Sequence, residues 1–110
     1  MIINYRCLPN IKETSSGVYV WESKDIPQIM DIALKNRWIV LGGDVLTSDE
    51  KYTYDNWYYA PEVNTDILEN VKQSIDHCMN YVHTYETVHE EKYLYSIVLS
   101  NSFTGSVVFD

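Results

Sequence analysis

The sequence predicts an α+β fold: a largely antiparallel sheet of about five to six strands with two helices packed on one face. Three observations carry this. Two stretches, around residues 26–34 and 67–85, repeat apolar residues at helical spacing. Short runs rich in β-branched and aromatic residues fill much of the remainder. The connections between them are short, which favours antiparallel neighbours.

Taken in order, residues 2–7 read as a short strand stopped by Pro9-Asn10, and residues 12–17 as a polar turn. Residues 18–21 read as a second strand. Asp25-Ile26-Pro27-Gln28 marks a helix start: aspartate caps, proline is tolerated in the first turn, and Gln28 is placed to reach back to the cap. Ile26, Ile29, Met30, Ala33 and Leu34 follow on one face, and the helix ends near Asn36. Trp38 opens a buried strand, and Gly42-Gly43 within it indicates a bulge or a close backbone approach. A polar turn over 47–51 leads to an extended aromatic segment ending before Pro61. Asp66 and Glu69 resemble a capping box. Ile67, Val71, Ile75, Cys78, Val82 and Tyr85 then form a continuous stripe, expected to be core. Residues 93–99 read as a strong strand, and 107–109 as a strand pairing back in a hairpin.

At 110 residues the chain is a single domain, large enough to bury about two-thirds of its unfolded surface. It is 45% hydrophobic and 22% charged, so wholesale disorder is excluded. The net charge of -8 opposes nucleic acid and anionic membrane surfaces, and favours rapid encounter with a basic partner. The excess is concentrated: residues 44–76 hold eight acids against Lys51 and Lys72. No leader-like N-terminus and no long apolar run occur, which points to the cytoplasm. Cys7 and Cys78, far apart and each in an apolar context, read as two reduced, buried thiols.

Chemistry is poorly supported. His77 and His83 are six residues apart on one helix, whereas helical metal-ligand pairs need spacings of three or four. No nucleophile, metal or phosphate motif is present. Asp44, Asp49 and Asp55 do not follow a calcium-loop spacing. Metal binding by the histidines and catalysis are therefore disfavoured. A small carbohydrate-binding or hydrolytic domain is the remaining chemical alternative, and an acidic adaptor or regulatory protein-binding domain is the other.

The segment 38–61 is the richest part of the chain. It mixes Trp38, Trp57 and four tyrosines with Asp44, Asp49, Glu50 and Asp55, and holds a single lysine. In an extended strand neighbouring side chains face opposite ways. Trp57 and Tyr59 therefore share one face and Tyr58 takes the other; Trp57 and Trp38 suit the core, and Tyr58 suits an interface. Tyrosine supplies large, rigid contact area at interfaces. The candidate partner-binding residues are Asp44, Asp49, Glu50, Tyr52, Tyr54, Asp55, Tyr58, Tyr59 and Glu62. For Asp44 the alternative is fixing the Gly-Gly corner; for Asp49, Glu50 and Asp55 it is a solvated loop.

Trp38, Gly42-Gly43-Asp44-Val45 and Asn56-Trp57-Tyr58-Tyr59 resemble immunity protein family 40. The resemblance covers mainly residues 37–100. It implies a small acidic protein that binds a cognate bacterial toxin domain and blocks or distorts its active site, without cofactor or catalytic residue. A toxin with a basic cleft would suit the acidic, aromatic surface. No nucleic-acid or membrane partner is expected. The chain is expected to be a monomer, or a weak homodimer through an exposed edge strand.

Overall fold

The computed structural model describes residues 3–101. Five strands and two helices run in the order β1 (Lys12–Glu13), β2 (Tyr19–Glu22), α1 (Ile26–Asn36), β3 (Trp38–Thr47), β4 (Tyr52–Tyr58), α2 (Ile67–His89) and β5 (Tyr93–Asn101). The sheet order is β1-β2-β5-β3-β4, with every neighbouring pair antiparallel. The expected α+β class holds. The strand predicted at 107–109 lies outside the described residues.

Alternation along the strands explains the layering. Trp21, Val45, Trp57, Tyr95, Ile97 and Leu99 pack in one core with Ile29, Met30 and Ala33 of α1 and Cys78, Val82 and Tyr85 of α2. The opposite parity, Val20, Leu46 and Leu94, forms a small second cluster under Val18. Both helices therefore cover one face, and no described helix covers the other. Val71 and Cys78 are fully buried, and a side chain of this kind contributes about 1.5–3 kcal/mol by leaving water.

Several local expectations are corrected. Residues 5–7 form a 3-10 turn, not a strand, capped by the Asn4 side chain accepting from the Arg6 amide. The turn breaks strand alternation: Tyr5 points inward, where its hydroxyl accepts from the Leu99 amide, and Cys7 points outward. Only Cys78 is a buried thiol, and burial pushes its pKa up to about 12. Lys12–Glu13, expected within a turn, is a two-residue edge strand against β2. Asp25 makes no side-chain cap, because a 3-10 turn at Ser23–Asp25 leads directly into α1, and Gln28 instead accepts from Asn10.

Asp66 likewise makes no side-chain cap. Asn70, buried on the first turns of α2, holds the incoming chain. Its oxygen accepts from the Glu62 amide at 3.0 Å and from the Tyr59 hydroxyl at 2.9 Å, and its nitrogen donates to the Glu62 carbonyl at 3.0 Å. Ile67 is 37% exposed, because burial on this helix begins only at Asn70 and Val71. Trp38 is half-buried, packed against the edge of the core.

The β3–β5 register shifts between Val40 and Gly42, so the bulge anticipated at the glycines exists. Ser74 of α2 serves it: its hydroxyl accepts from the Val40 amide at 2.9 Å and donates to the Val71 carbonyl at 2.8 Å, wholly out of solvent. Replacing Ser74 with alanine leaves a buried N–H unpaired. The expected loss is about 2 kcal/mol, read by urea denaturation; a loss under ~0.5 kcal/mol would mean that the bulge has another acceptor.

Candidate functional site

Strand β4 is the outer strand of the sheet beyond β3, and its side chains sort cleanly. Trp57 turns to the helices, with its ring stacked on Tyr81 at a centroid distance of 4.9 Å. Asp55 and Tyr59 turn the same way. The Asp55 carboxylate accepts from the Tyr85 hydroxyl at 2.7 Å, and Tyr59 donates to Asn70. Glu62, in the following loop, accepts from the Thr65 hydroxyl at 2.8 Å. These three candidates hold β4 and its connection against α2.

The other parity faces away from the helices. Tyr52 lies opposite Leu46, Asn56 opposite Asp44, and Tyr58 opposite Gly42. The β3–β4 register shifts between Asp44 and Leu46, and β4 takes up the extra residues around Tyr54, whose φ is +70°. Thr53 secures this bulge by donating to the Val45 carbonyl and accepting from the Asp55 amide. Tyr54 is thereby thrown out to 88% exposure, and Tyr58 stands at 73%. Among the described residues, the side chains of Asp44, Tyr52, Tyr54, Asn56 and Tyr58 have no hydrogen-bond or ion-pair partner.

The turn between β3 and β4 carries Asp49 and Glu50, both exposed. The Thr47 hydroxyl donates to Asp49 and holds its carboxyl below the usual range, and Lys51 stands 3.8 Å from it. Glu50 accepts from the Ser15 amide at 2.9 Å, tying this turn to the β1–β2 hairpin. Six of the nine candidates, Asp44, Asp49, Glu50, Tyr52, Tyr54 and Tyr58, thus lie on the helix-free face or the turn at its end.

Gly42 and Gly43 shape the middle of that face. A Cβ on Gly42 would lie 2.2 Å from the Trp57 carbonyl oxygen, and its φ is +149°. A depression of about 280 Å³ opens here, lined by Leu41, Gly42, Asp44, Asn56, Tyr58 and Val98 among others. Neither Asn56 nor Val98 is among the nine candidates expected from the sequence. Strand parity was the available signal, since each alternates with an inward-facing neighbour.

A larger depression of about 410 Å³ lies on the helix side between Ser23, Ile26, Val82, His83, Glu86 and Lys92. Its carboxylate is already engaged. Glu86 accepts from the Ser23 hydroxyl at 2.8 Å, the Tyr93 amide at 3.2 Å and the Tyr95 hydroxyl at 3.0 Å. That arrangement ties β5 to α2.

Two internal phenols carry a pH signature. Burial, then the hydrogen bond to Asp55, pushes Tyr85 up to about 12. Burial together with Glu86 pushes Tyr95 strongly upward. Both are donors in the fold and must stay protonated, whereas unfolded tyrosine ionises near pH ~10. Both contributions are complete below that pH; that of Tyr85 is lost as pH rises through about 12, and that of Tyr95 still higher. Denaturation midpoints should therefore fall across this alkaline window; an unchanged midpoint would show that neither phenol is linked to folding.

No group of three or more metal-ligating side chains gathers among the described residues. No described helix is long and apolar enough to cross a membrane. The model of one family, immunity protein 40, matches residues 10–99. No curated protein and no solved structure matches the chain.

Proposed function

This chain belongs to the immunity protein 40 family, and on that premise we propose that it neutralises a cognate bacterial toxin domain by binding it through the helix-free face of the sheet. The observation that carries this reading is the sorting of β4. Its inward rings and acid are committed to the fold, while Tyr52, Tyr54, Tyr58 and the facing Asp44 are exposed and unpartnered. Exposed tyrosines of this kind are the anchors of protein interfaces. Asp44 and Asp49 give the face a negative sign, and the whole chain carries -8, so a cationic toxin surface would be drawn to it quickly. Inhibition then follows from occlusion of a basic cleft, and requires no catalytic residue or cofactor.

Co-expression tests this. The toxin probe is the cognate toxin domain, to be sought as the variable C-terminal domain of a large toxin whose gene is expected beside this one. Wild-type protein should restore growth to cells making that domain and should co-purify with it. Changing Asp44 and Asp49 together to lysine should abolish protection without moving the unfolding midpoint by more than a few degrees, because both are exposed. Failure of the wild-type protein to bind or protect would overturn the reading.

A further inference from the structure

We propose that the depression at Gly42 is a socket for a single arginine side chain of the cationic partner; this rests on the binding reading above and specifies its central contact. The register of three strands builds the socket. Across the helix-free face Gly42 sits between Tyr58 of β4 and Val98 of β5. Adjacent strands are ~4.8 Å apart, so the ring and the valine flank a gap of ~10 Å with no side chain at its centre. The next row on the same face is Asn56, Asp44 and Ser96. It places a carboxylate and a carboxamide at one end of the gap.

The occupant follows from the chemistry of the walls. Tyr58 offers a ring face and Val98 and Leu41 offer apolar surface, suited to a flat, weakly hydrated cation with a hydrocarbon stem. Asp44 offers both carboxylate oxygens, and nothing in the described fold uses them. Among the described residues no basic side chain lines the depression. Guanidinium meets all these terms: it stacks on the ring and bonds a carboxylate through two parallel N–H groups. Ammonium is compact and strongly hydrated, and would leave the slot between ring and valine unfilled. At about 280 Å³ the space falls below the usual ~300–1,000 Å³ of small-molecule pockets, and it accommodates one long side chain. Gly42 is required because any larger residue would strike the β4 backbone.

The test uses the cognate toxin domain that binds wild-type protein in the co-expression experiment and measures association and dissociation separately. Asp44→Asn should raise the dissociation rate about 30-fold or more, and Tyr58→Ala about tenfold. Asp76→Asn, on the exposed side of α2, should lower only the association rate, as loss of a steering charge does. Alanine replacement of the toxin's arginines, one at a time, should reveal one whose effect disappears in the Asp44→Asn background. If wild type binds but Asp44→Asn dissociates within about twofold of it, the socket is overturned while the binding reading stands. The socket is equally overturned if the coupled residue is a lysine or if coupling spreads evenly over many arginines. If wild type does not bind at all, the binding reading itself has failed.

Discussion

Gly43→Ala should destabilise the protein by about 4 kcal/mol, at the upper end of what overpacking costs. The added Cβ would lie 2.2 Å from the Ser96 carbonyl oxygen and 2.5 Å from the Trp57 ring. Neither neighbour can give way cheaply. Ser96 belongs to β5, the strand hydrogen-bonded between β2 and β3. Trp57 lies in a stack with Tyr81 and meets Tyr95 edge-on. Relief requires either separating β3 from β5 or lifting Trp57 out of the core, and the second route would carry β4 with it. Urea denaturation gives the loss in stability, and tryptophan fluorescence reports whether Trp57 has left its stack. A variant within ~1 kcal/mol of wild type would show that β4 is not pinned by this contact.

Glu86→Ala should cost about 3 kcal/mol, a fall in Tm of about 10–20 °C for a domain of this size. The carboxylate collects three donors from two parts of the chain: the Ser23 hydroxyl before α1, and the Tyr93 amide and Tyr95 hydroxyl of β5. Tyr95 has no solvent exposure, so its hydroxyl would be left without an acceptor, and unsatisfied buried groups cost about 1–3 kcal/mol each. The Lys92 ammonium, 3.6 Å away and well exposed, adds little. Glu86→Gln keeps one acceptor oxygen and should lose about half as much. Thermal melts of the two variants separate the hydrogen-bond hub from simple packing, because a pure volume effect would spare the glutamine variant entirely.

Much of this architecture is legible in the sequence, because it depends on periodicity. The stripe from Val71 to Tyr85 has helical spacing and is buried as expected, with Ile75 only partly covered. The alternation Trp57-Tyr58-Tyr59 places one ring outside and two inside, as strand geometry requires. Gly42-Gly43 signals the bulge that the β3–β5 register contains. What the sequence conceals is the choice of polar partner. Asn70 takes the role expected of the Asp66–Glu69 box because the loop from β4 returns over it, a tertiary fact with no local pattern. Asp55 and Glu62 look like members of an acidic rim, yet both turn to hydroxyls of Tyr85 and Thr65. Residues 5–7 have strand-like composition, but Asn4 and the nearby Pro9 favour a tight turn over an extended run. The second bulge, at Tyr54, has no glycine to announce it and rests on the Thr53 hydroxyl.

Docking of a toxin on the uncovered side of the sheet would leave a residue-level trace in solution. Backbone amide shifts of isotope-labelled protein, followed by NMR while the cognate toxin domain is added, distinguish this face from the helical one. The largest changes should fall at Asp44, Tyr54, Asn56, Tyr58 and Val98, with α1 and α2 nearly still. Changes concentrated on the outer surfaces of α1 and α2, with those five amides unmoved, would contradict it.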